Sequence, residues 1–178
     1  MLITEPYREQ QKQLHATTNY GVASIGHAPI VANLINKYNV REVLDYGAGR
    51  LNLMKTISDQ RLVKHEFKYI PYEPANPLYS DSPEPAEMVA CLDVLEHIEP
   101  ELLDNVLIDL ARVTKRVGVF TVDCQLAVKT LADGRNAHLI VEPMEWWLPR
   151  IMKYFELHLL MRTAHGFIVV VRPHDGTK

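Results

Sequence analysis

The chain has 178 residues, which fits a single domain that can bury enough apolar surface to fold without a metal or a disulfide. Its formal net charge of −3 shows no overall basic excess of the kind that holds a protein on a phosphate backbone. Cys91 and Cys124 lie in apolar runs and are predicted to be reduced, buried thiols. With no apolar stretch of membrane-spanning length and no visible signal peptide, we expect a cytoplasmic protein with no membrane partner.

The first part of the chain is polar and then alternates between helices and strands. Residues 1–18 carry few large apolar groups and predict a loosely held, flexible arm, which leaves one domain over residues 19–173. Apolar residues at helical spacing predict an amphipathic helix over residues 22–38. The pattern then predicts, in chain order, a strand over 40–46, a helix over 51–58 and a strand over 65–72.

The alternation continues after a proline-rich loop over residues 76–85. The next predicted elements are a strand over 88–94, a helix over 100–113, a strand over 117–122, a helix over 142–155, and strands over 157–162 and 167–171. The last two strands flank His165-Gly166 and predict an antiparallel hairpin. Strands that alternate with helices predict an α/β, Rossmann-like fold, with a mostly parallel sheet and helices on both faces.

A glycine turn follows the first predicted strand, in Val43-Leu44-Asp45-Tyr46-Gly47-Ala48-Gly49. Ligands of such sheets bind beyond the carboxyl ends of the strands, and glycines let the backbone approach a ligand closely. The turn could therefore bind a dinucleotide or S-adenosylmethionine. The dinucleotide fingerprint needs a third small residue where this chain has Asn52. Asp45 would also repel a pyrophosphate, whereas it suits a cationic amino-acid group.

Three segments, in order, resemble motifs of class I S-adenosylmethionine-dependent methyltransferases. The run VLDYGAGRLNL resembles their first motif, Tyr72-Glu73-Pro74 closes the second strand as in the family, and CLDVLEHI resembles the family's "DVLEH" segment. The resemblance covers about residues 20–172. It implies that Glu73 accepts both ribose hydroxyls of S-adenosylmethionine. The implied cofactor contacts are Tyr20, Gly21, Asp45, Tyr46, Gly47, Ala48, Gly49, Glu73, Pro74, Asp93 and Val94.

The chain departs from the family pattern after Glu73. The family places a helix and a third strand there, followed by a polar pair that holds the adenine, and too few residues remain before Met88 for that unit. We therefore expect a fold that is shortened after the second strand, with a narrower sheet on that side. Ser80, Asp81, Ser82 or the backbone alone are the alternatives for holding the adenine.

A metal site is a further hypothesis. Asp93, Glu96 and His97 have the spacing of residues on one helical face, and His138 follows later in the acceptor region. Such a set would suit Mg, Mn, Fe or Zn. It faintly resembles the site of small-RNA 2′-O-methyltransferases, and ubiquinone-type O-methyltransferases also use acids near this segment. The metal ligands would be Glu96, His97 and His138. The alternative is that Glu96 and His97 cap the following helix or pack beside the loop.

The catalytic candidates are His138 and Asp93. His138 follows a polar loop beyond a strand, where an imidazole could take the acceptor's proton. His27, near the cofactor end of the first predicted helix, is the other histidine of interest. Because there is no inserted recognition domain, we expect methyl transfer to oxygen or nitrogen of a small-molecule acceptor. Two alternatives stay open. One is a nucleic-acid or nucleotide methyltransferase, with or without a divalent metal, and the other is a non-catalytic partner protein that binds S-adenosylmethionine.

Overall fold

The computed structural model describes residues 1–16 and 21–174. Within these ranges the α-helices are α1 (Glu5–Ala16), α2 (Ala23–Tyr38), α3 (Asn52–Asp59), α4 (Leu103–Val113) and α5 (Met144–Met152). The strands are β1 (Glu42–Tyr46), β2 (Lys68–Tyr72), β3 (Ala86–Leu92), β4 (Thr114–Asp123), β5 (Phe155–Arg162) and β6 (Gly166–Pro173). Two short 3₁₀ turns, Leu95–His97 and Pro100–Leu102, separate β3 from α4. No helix in the described ranges is long and apolar enough to cross a membrane.

The six strands form one sheet in the order β2-β1-β3-β4-β6-β5. Strands β1 to β4 are parallel, and β6 runs antiparallel to both β4 and β5. This arrangement confirms the predicted α/β fold with a C-terminal antiparallel hairpin. The parallel part places the carboxyl ends of β1, β2 and β3 at one edge of the sheet, where ligands of such folds bind.

Apolar cores lie on both faces of the sheet. Strand β3 is buried on both sides: Val89 and Cys91 belong to the core that packs against α4 and α5, and Met88 and Ala90 to the core that packs against α2 and α3. The Cys91 thiol is fully buried, as predicted, whereas Cys124 is only partly buried. A strand covered on both faces reads as a continuous apolar run, which explains why the sequence pattern located it.

Strand β2 forms one edge of the sheet, which confirms the shortened side. After β2 the chain continues through turns and bends until β3 begins at Ala86. Pro71 lies within β2, and within sheets proline is found mainly on edge strands because it has no backbone N–H to donate to a neighbouring strand. The composition of β2 therefore agrees with its position at the edge.

The N-terminal segment differs from the loosely held arm that we predicted. Glu5–Ala16 form α1, in which Tyr7, Gln11 and Leu14 are buried. The backbone N–H of Thr4 donates to Glu99 Oε2 over 2.9 Å, and the Tyr7 hydroxyl donates to the His97 carbonyl over 2.5 Å. The polar composition of this segment obscured a helical face that carries Tyr7 and Leu14. Hydrogen bonds to Glu99 and His97, which are distant in the chain, fix the segment in place. The single domain over residues 19–173 stays a prediction.

Candidate active site

The glycine turn joins β1 to α3 and lies against the end of β2. The N–H groups of Gly47 and Ala48 donate to the Tyr72 carbonyl over 2.8 and 2.9 Å. Gly47 has a φ of +85°, and a Cβ there would lie 2.4 Å from Val94 Cγ2. A larger residue at 47 would therefore clash with Val94 and strain the backbone. The turn and Val94 line the same cavity.

Glu73 lies directly beyond β2 with only 6% of its surface exposed. Its Oε2 accepts the Gly49 N–H over 3.0 Å, and its Oε1 accepts the Ala75 N–H over 3.0 Å. Because each carboxylate oxygen has two lone pairs, these bonds orient the group and leave acceptor capacity on both oxygens. The His15 Nε2 lies 3.8 Å from Glu73 Oε2.

Asp45 occupies the end of β1 and is almost completely buried. Its Oδ2 accepts a hydrogen bond from the Tyr69 hydroxyl of β2. Burial raises the pKa of Asp45 to about 7, the nearby charge of Glu73 adds to the increase, and the Tyr69 hydrogen bond opposes it. Near neutral pH this carboxyl group can therefore gain or lose a proton in response to a nearby charge.

Asp93 follows β3 with a φ of +52°, in the left-handed region that Asp tolerates better than most residues. Its N–H donates to Thr121 Oγ1 over 2.8 Å, and the Thr121 hydroxyl donates back to Asp93 Oδ1. His27 Nε2 lies 3.6 Å from Asp93 Oδ2. Burial acts to raise the pKa of Asp93, but the neighbouring His27, the hydrogen bond from Thr121 and the His97 ring together outweigh it and lower that pKa. Asp93 is thus held as a carboxylate.

His97 and His138 lie side by side, with ring centroids 4.7 Å apart. The Nδ1 of His97 is 2.7 Å from the Ala137 carbonyl oxygen, and the Nδ1 of His138 is 2.5 Å from that of Gln125. A carbonyl can only accept, so each Nδ1 carries a proton and the neutral ring has its lone pair on Nε2. Burial, and to a smaller extent the neighbouring His138, lower the pKa of His97 to about 4. His97 is therefore neutral at physiological pH.

The structure does not support the predicted metal site on Glu96, His97 and His138. In the described ranges no three His, Cys, Asp or Glu side chains are grouped so that they could hold a metal ion. Glu96 is fully buried, its Oε1 accepts the Asp123 N–H over 2.8 Å, and burial raises its pKa well above the usual value. Asp93 lies outside the 3₁₀ turn Leu95–His97, so the spacing of Asp93, Glu96 and His97 does not place them on one α-helical face.

These groups surround one cavity of about 430 Å³ at the carboxyl ends of β1, β2 and β3. Most residues singled out in the sequence line it: Gly21, Asp45, Tyr46, Gly47, Ala48, Gly49, Glu73, Pro74, Asp93, Val94, His97 and His138. Tyr20 lies outside the described residues, and Glu96 lies behind the cavity wall. The contacts of these residues with a ligand stay predictions.

The sequence reasoning missed several parts of the wall, α1 and the segment after β4 among them. Tyr7, Gln11 and His15 of α1 line the cavity, as does the segment Leu126–Lys129 after β4. Tyr7, Gln11 and His15 are spaced four residues apart and so share one helical face, which is a signal that the polar composition obscured. Nothing in the local sequence of residues 126–129 indicates a cavity wall.

No protein-family model and no curated protein matches this chain. Solved structures do match over most of its length. The 1,6-didemethyltoxoflavin-N1-methyltransferase of Burkholderia thailandensis, solved with 1,6-didemethyltoxoflavin and S-adenosylhomocysteine, is 15% identical with a TM-score of 0.60. The match covers 87% of this chain and 80% of that one. The chain has the Rossmann-like methyltransferase fold.

Other methyltransferases share this fold. The mitomycin 7-O-methyltransferase MmcR is 15% identical, with a TM-score of 0.60 over 84% of this chain and 54% of its own. Human N-acetylserotonin methyltransferase, solved with S-adenosylmethionine, is 12% identical, with a TM-score of 0.59 over 93% of this chain and 56% of its own. The matched part is thus only slightly more than half of these two proteins. At these identities the likeness establishes the fold.

Proposed function

We propose that this protein is an S-adenosylmethionine-dependent methyltransferase that transfers a methyl group to oxygen or nitrogen of a small-molecule acceptor. One observation carries the proposal. The three sequence segments that resemble methyltransferase motifs, namely the turn after Asp45, Glu73 and the segment from Asp93, converge on a single cavity. They come from three different strand ends, and the fold is the methyltransferase fold.

The cavity suits a cofactor with a cationic end better than one with a pyrophosphate. Asp45, Glu73 and Asp93 line it, so a phosphate group would lie among acids. In this proposal Glu73 accepts the ribose hydroxyls with its remaining lone pairs, and Asp45 pairs with the cofactor's amino group. The cofactor supplies a methyl group on a positively charged sulfur. Asn52 donates its side-chain N–H to the Gly21 carbonyl over 2.9 Å, where a dinucleotide fingerprint would have a small residue.

His138 is the proposed general base. Its Nδ1–H donates to the Gln125 carbonyl, which fixes the ring and leaves Nε2 as the proton acceptor. S-adenosylmethionine, held by the glycine turn, Asp45 and Glu73, would supply the methyl carbon to the acceptor oxygen or nitrogen, and the C–S electron pair would return to its sulfur. The acceptor's proton passes to His138 Nε2. His97, with its pKa lowered to about 4, is too weak a base for this role.

Calorimetry with S-adenosylmethionine and with NAD tests the proposal. We expect the sulfonium cofactor to bind and NAD not to bind, and the reverse would refute the cofactor assignment. Glu73→Gln should weaken S-adenosylmethionine binding by about 1–3 kcal/mol, because a charged acceptor is lost. Glu84→Gln, at an exposed acid outside the cavity, is the matched control and should bind as the wild type does. Labelled cofactor and a panel of acceptors would then identify the product.

A further inference from the structure

The charges around the cavity are strongly one-sided. Asp45, Glu73, Asp93 and Asp123 line it, and among the described lining residues Lys129 is the only lysine or arginine. An anionic acceptor in this cavity would be repelled by several carboxylates at short range, in partly desolvated surroundings. The cavity therefore disfavours an acceptor that carries a carboxylate or a phosphate.

Asp123 and His138 belong to the same end of the cavity. Asp123 ends β4, and its Oδ1 accepts the Gln125 N–H over 2.9 Å. The carbonyl of that same Gln125 accepts the His138 Nδ1–H. The acid is thus fixed close to the proposed base, at the end of β4, which β3 separates from β1 and the glycine turn. An acceptor bound beside His138 would therefore lie close to its charge.

The wall next to this polar end is apolar. Leu2 and Ile3 precede α1, and they line the cavity together with Ile98 and Val106 from the segment after β3 and from α4. The bonds from Thr4 to Glu99 and from Tyr7 to the His97 carbonyl hold the N-terminal segment against this side. An apolar body on the acceptor would bury against these side chains.

We propose that the acceptor is an uncharged molecule with a hydroxyl or amino group on an apolar body, and that Asp123 is the residue that discriminates against anionic acceptors. The inference rests on the proposed function and specifies its substrate class. His138 Nε2 accepts a hydrogen bond from the acceptor's reacting group, so that group must be a donor. Nucleic acid, with its phosphates, is a poor fit to this cavity.

Three small probes separate charge from shape: p-toluate, its uncharged near-isostere p-toluamide, and the hydroxyl compound p-cresol. Binding to the complex with S-adenosylhomocysteine is measured by calorimetry, because that cofactor product lacks the sulfonium charge. We expect p-toluamide and p-cresol to bind at least roughly tenfold more tightly than p-toluate. Asp123→Asn keeps the oxygen that accepts the Gln125 N–H and should raise p-toluate affinity roughly tenfold while leaving p-toluamide unchanged.

A remote variant and a second charge change complete the design. Lys129→Gln should weaken p-toluate further and leave p-cresol unaffected, whereas Lys153→Gln, whose lysine pairs with Asp104 outside the cavity, should change neither. Equal binding of p-toluate and p-toluamide, an unchanged ratio in Asp123→Asn, or no binding of any probe would overturn the inference. Titration of the cofactor-free protein with S-adenosylhomocysteine separates this failure from a failure of the proposed function. If the proposed function is wrong, S-adenosylhomocysteine itself does not bind.

Discussion

Asp45 illustrates how a single residue acquires its chemistry from its surroundings. The sequence predicted that it precedes the glycine turn and pairs with a cationic group of the cofactor. The structure adds burial and the hydrogen bond from Tyr69, which together with Glu73 set its proton affinity. Burial dominates, so an ordinary aspartic acid becomes a group that titrates near neutral pH.

A pH-dependent cofactor affinity follows from the raised pKa of Asp45. In the free protein the carboxyl group is mostly protonated below about pH 7, and a cationic amino group favours its ionised form. S-adenosylmethionine should therefore bind more tightly as pH rises from about 5 to about 7, by up to about tenfold per pH unit, with uptake of the dissociated proton by the buffer. Calorimetry across this range checks the slope. Asp45→Asn should make it flat, and a flat wild-type profile would contradict the assignment.

For Asp93 and His97 the sequence identified the residues but not their partners or their protonation states. Both were singled out in the sequence, and both line the cavity. Their partners could not be read from the sequence, because Thr121 lies 28 residues from Asp93 and Ala137 lies 40 residues from His97. Together with His27, Thr121 lowers the pKa of Asp93, whereas burial lowers the pKa of His97 and the Ala137 bond only opposes that effect.

At the scale of elements, α1 is the largest addition to the predicted architecture. It packs with Tyr7 and Leu14 against Leu131 and Ala137, in the segment between β4 and α5. The side chain of Gln10 also donates to Asp133 over 3.1 Å. Helix and segment together cover the end of the cavity that holds His97 and His138. An isolated helix of this length is marginal in water, so tertiary packing supplies much of its stability.

Replacement by alanine is expected to have opposite effects on stability at Gly166 and at Gly26. A Cβ on Gly166, where β6 starts, would lie 1.9 Å from the Val122 carbonyl oxygen, whereas a Cβ on Gly26, inside α2, meets nothing within 4 Å. Gly166→Ala should therefore lower the free energy of unfolding by about 1–3 kcal/mol or more. Gly26→Ala should raise it by about 1 kcal/mol through helix propensity. Urea unfolding of both variants measures the two effects, and equal effects would refute the placement of the β4–β6 pair.

At the scale of the whole molecule, the sheet determines which residues of the candidate site lie close together. Its parallel strands bring Asp45, Glu73 and Asp93 to one edge, although they are far apart in the chain. The absence of a further strand beside β2 in the described residues leaves the sheet narrow on the side where the family holds the adenine. Ser80, Asp81 and Ser82 follow in that region and remain the predicted candidates for the adenine.

Acid should destabilise the folded molecule through His97. Its pKa is lowered from 6.5 to about 4 in the folded state, so the unfolded chain binds the proton more readily between these values. The stability that the neutral ring contributes is complete above about pH 6.5 and is lost as pH falls toward 4, by up to about 3 kcal/mol. The difference in unfolding free energy between the wild type and His97→Asn should shrink by this amount over that range. His165→Asn, at an exposed hairpin residue, should show no such trend.

The sequence by itself predicted the order of strands and helices from α2 onward, the glycine turn, the narrower sheet after β2 and the acids at the strand ends. These features depend on neighbouring residues, through periodicity, proline and glycine, and a parallel sheet gathers the strand ends in one place. Only the tertiary structure decided that α1 lines the cavity, that Glu96 is buried away from it, and that His97 and His138 lie side by side. Those outcomes depend on contacts between residues distant in the chain, such as Tyr7 with His97, whose geometry local patterns do not specify.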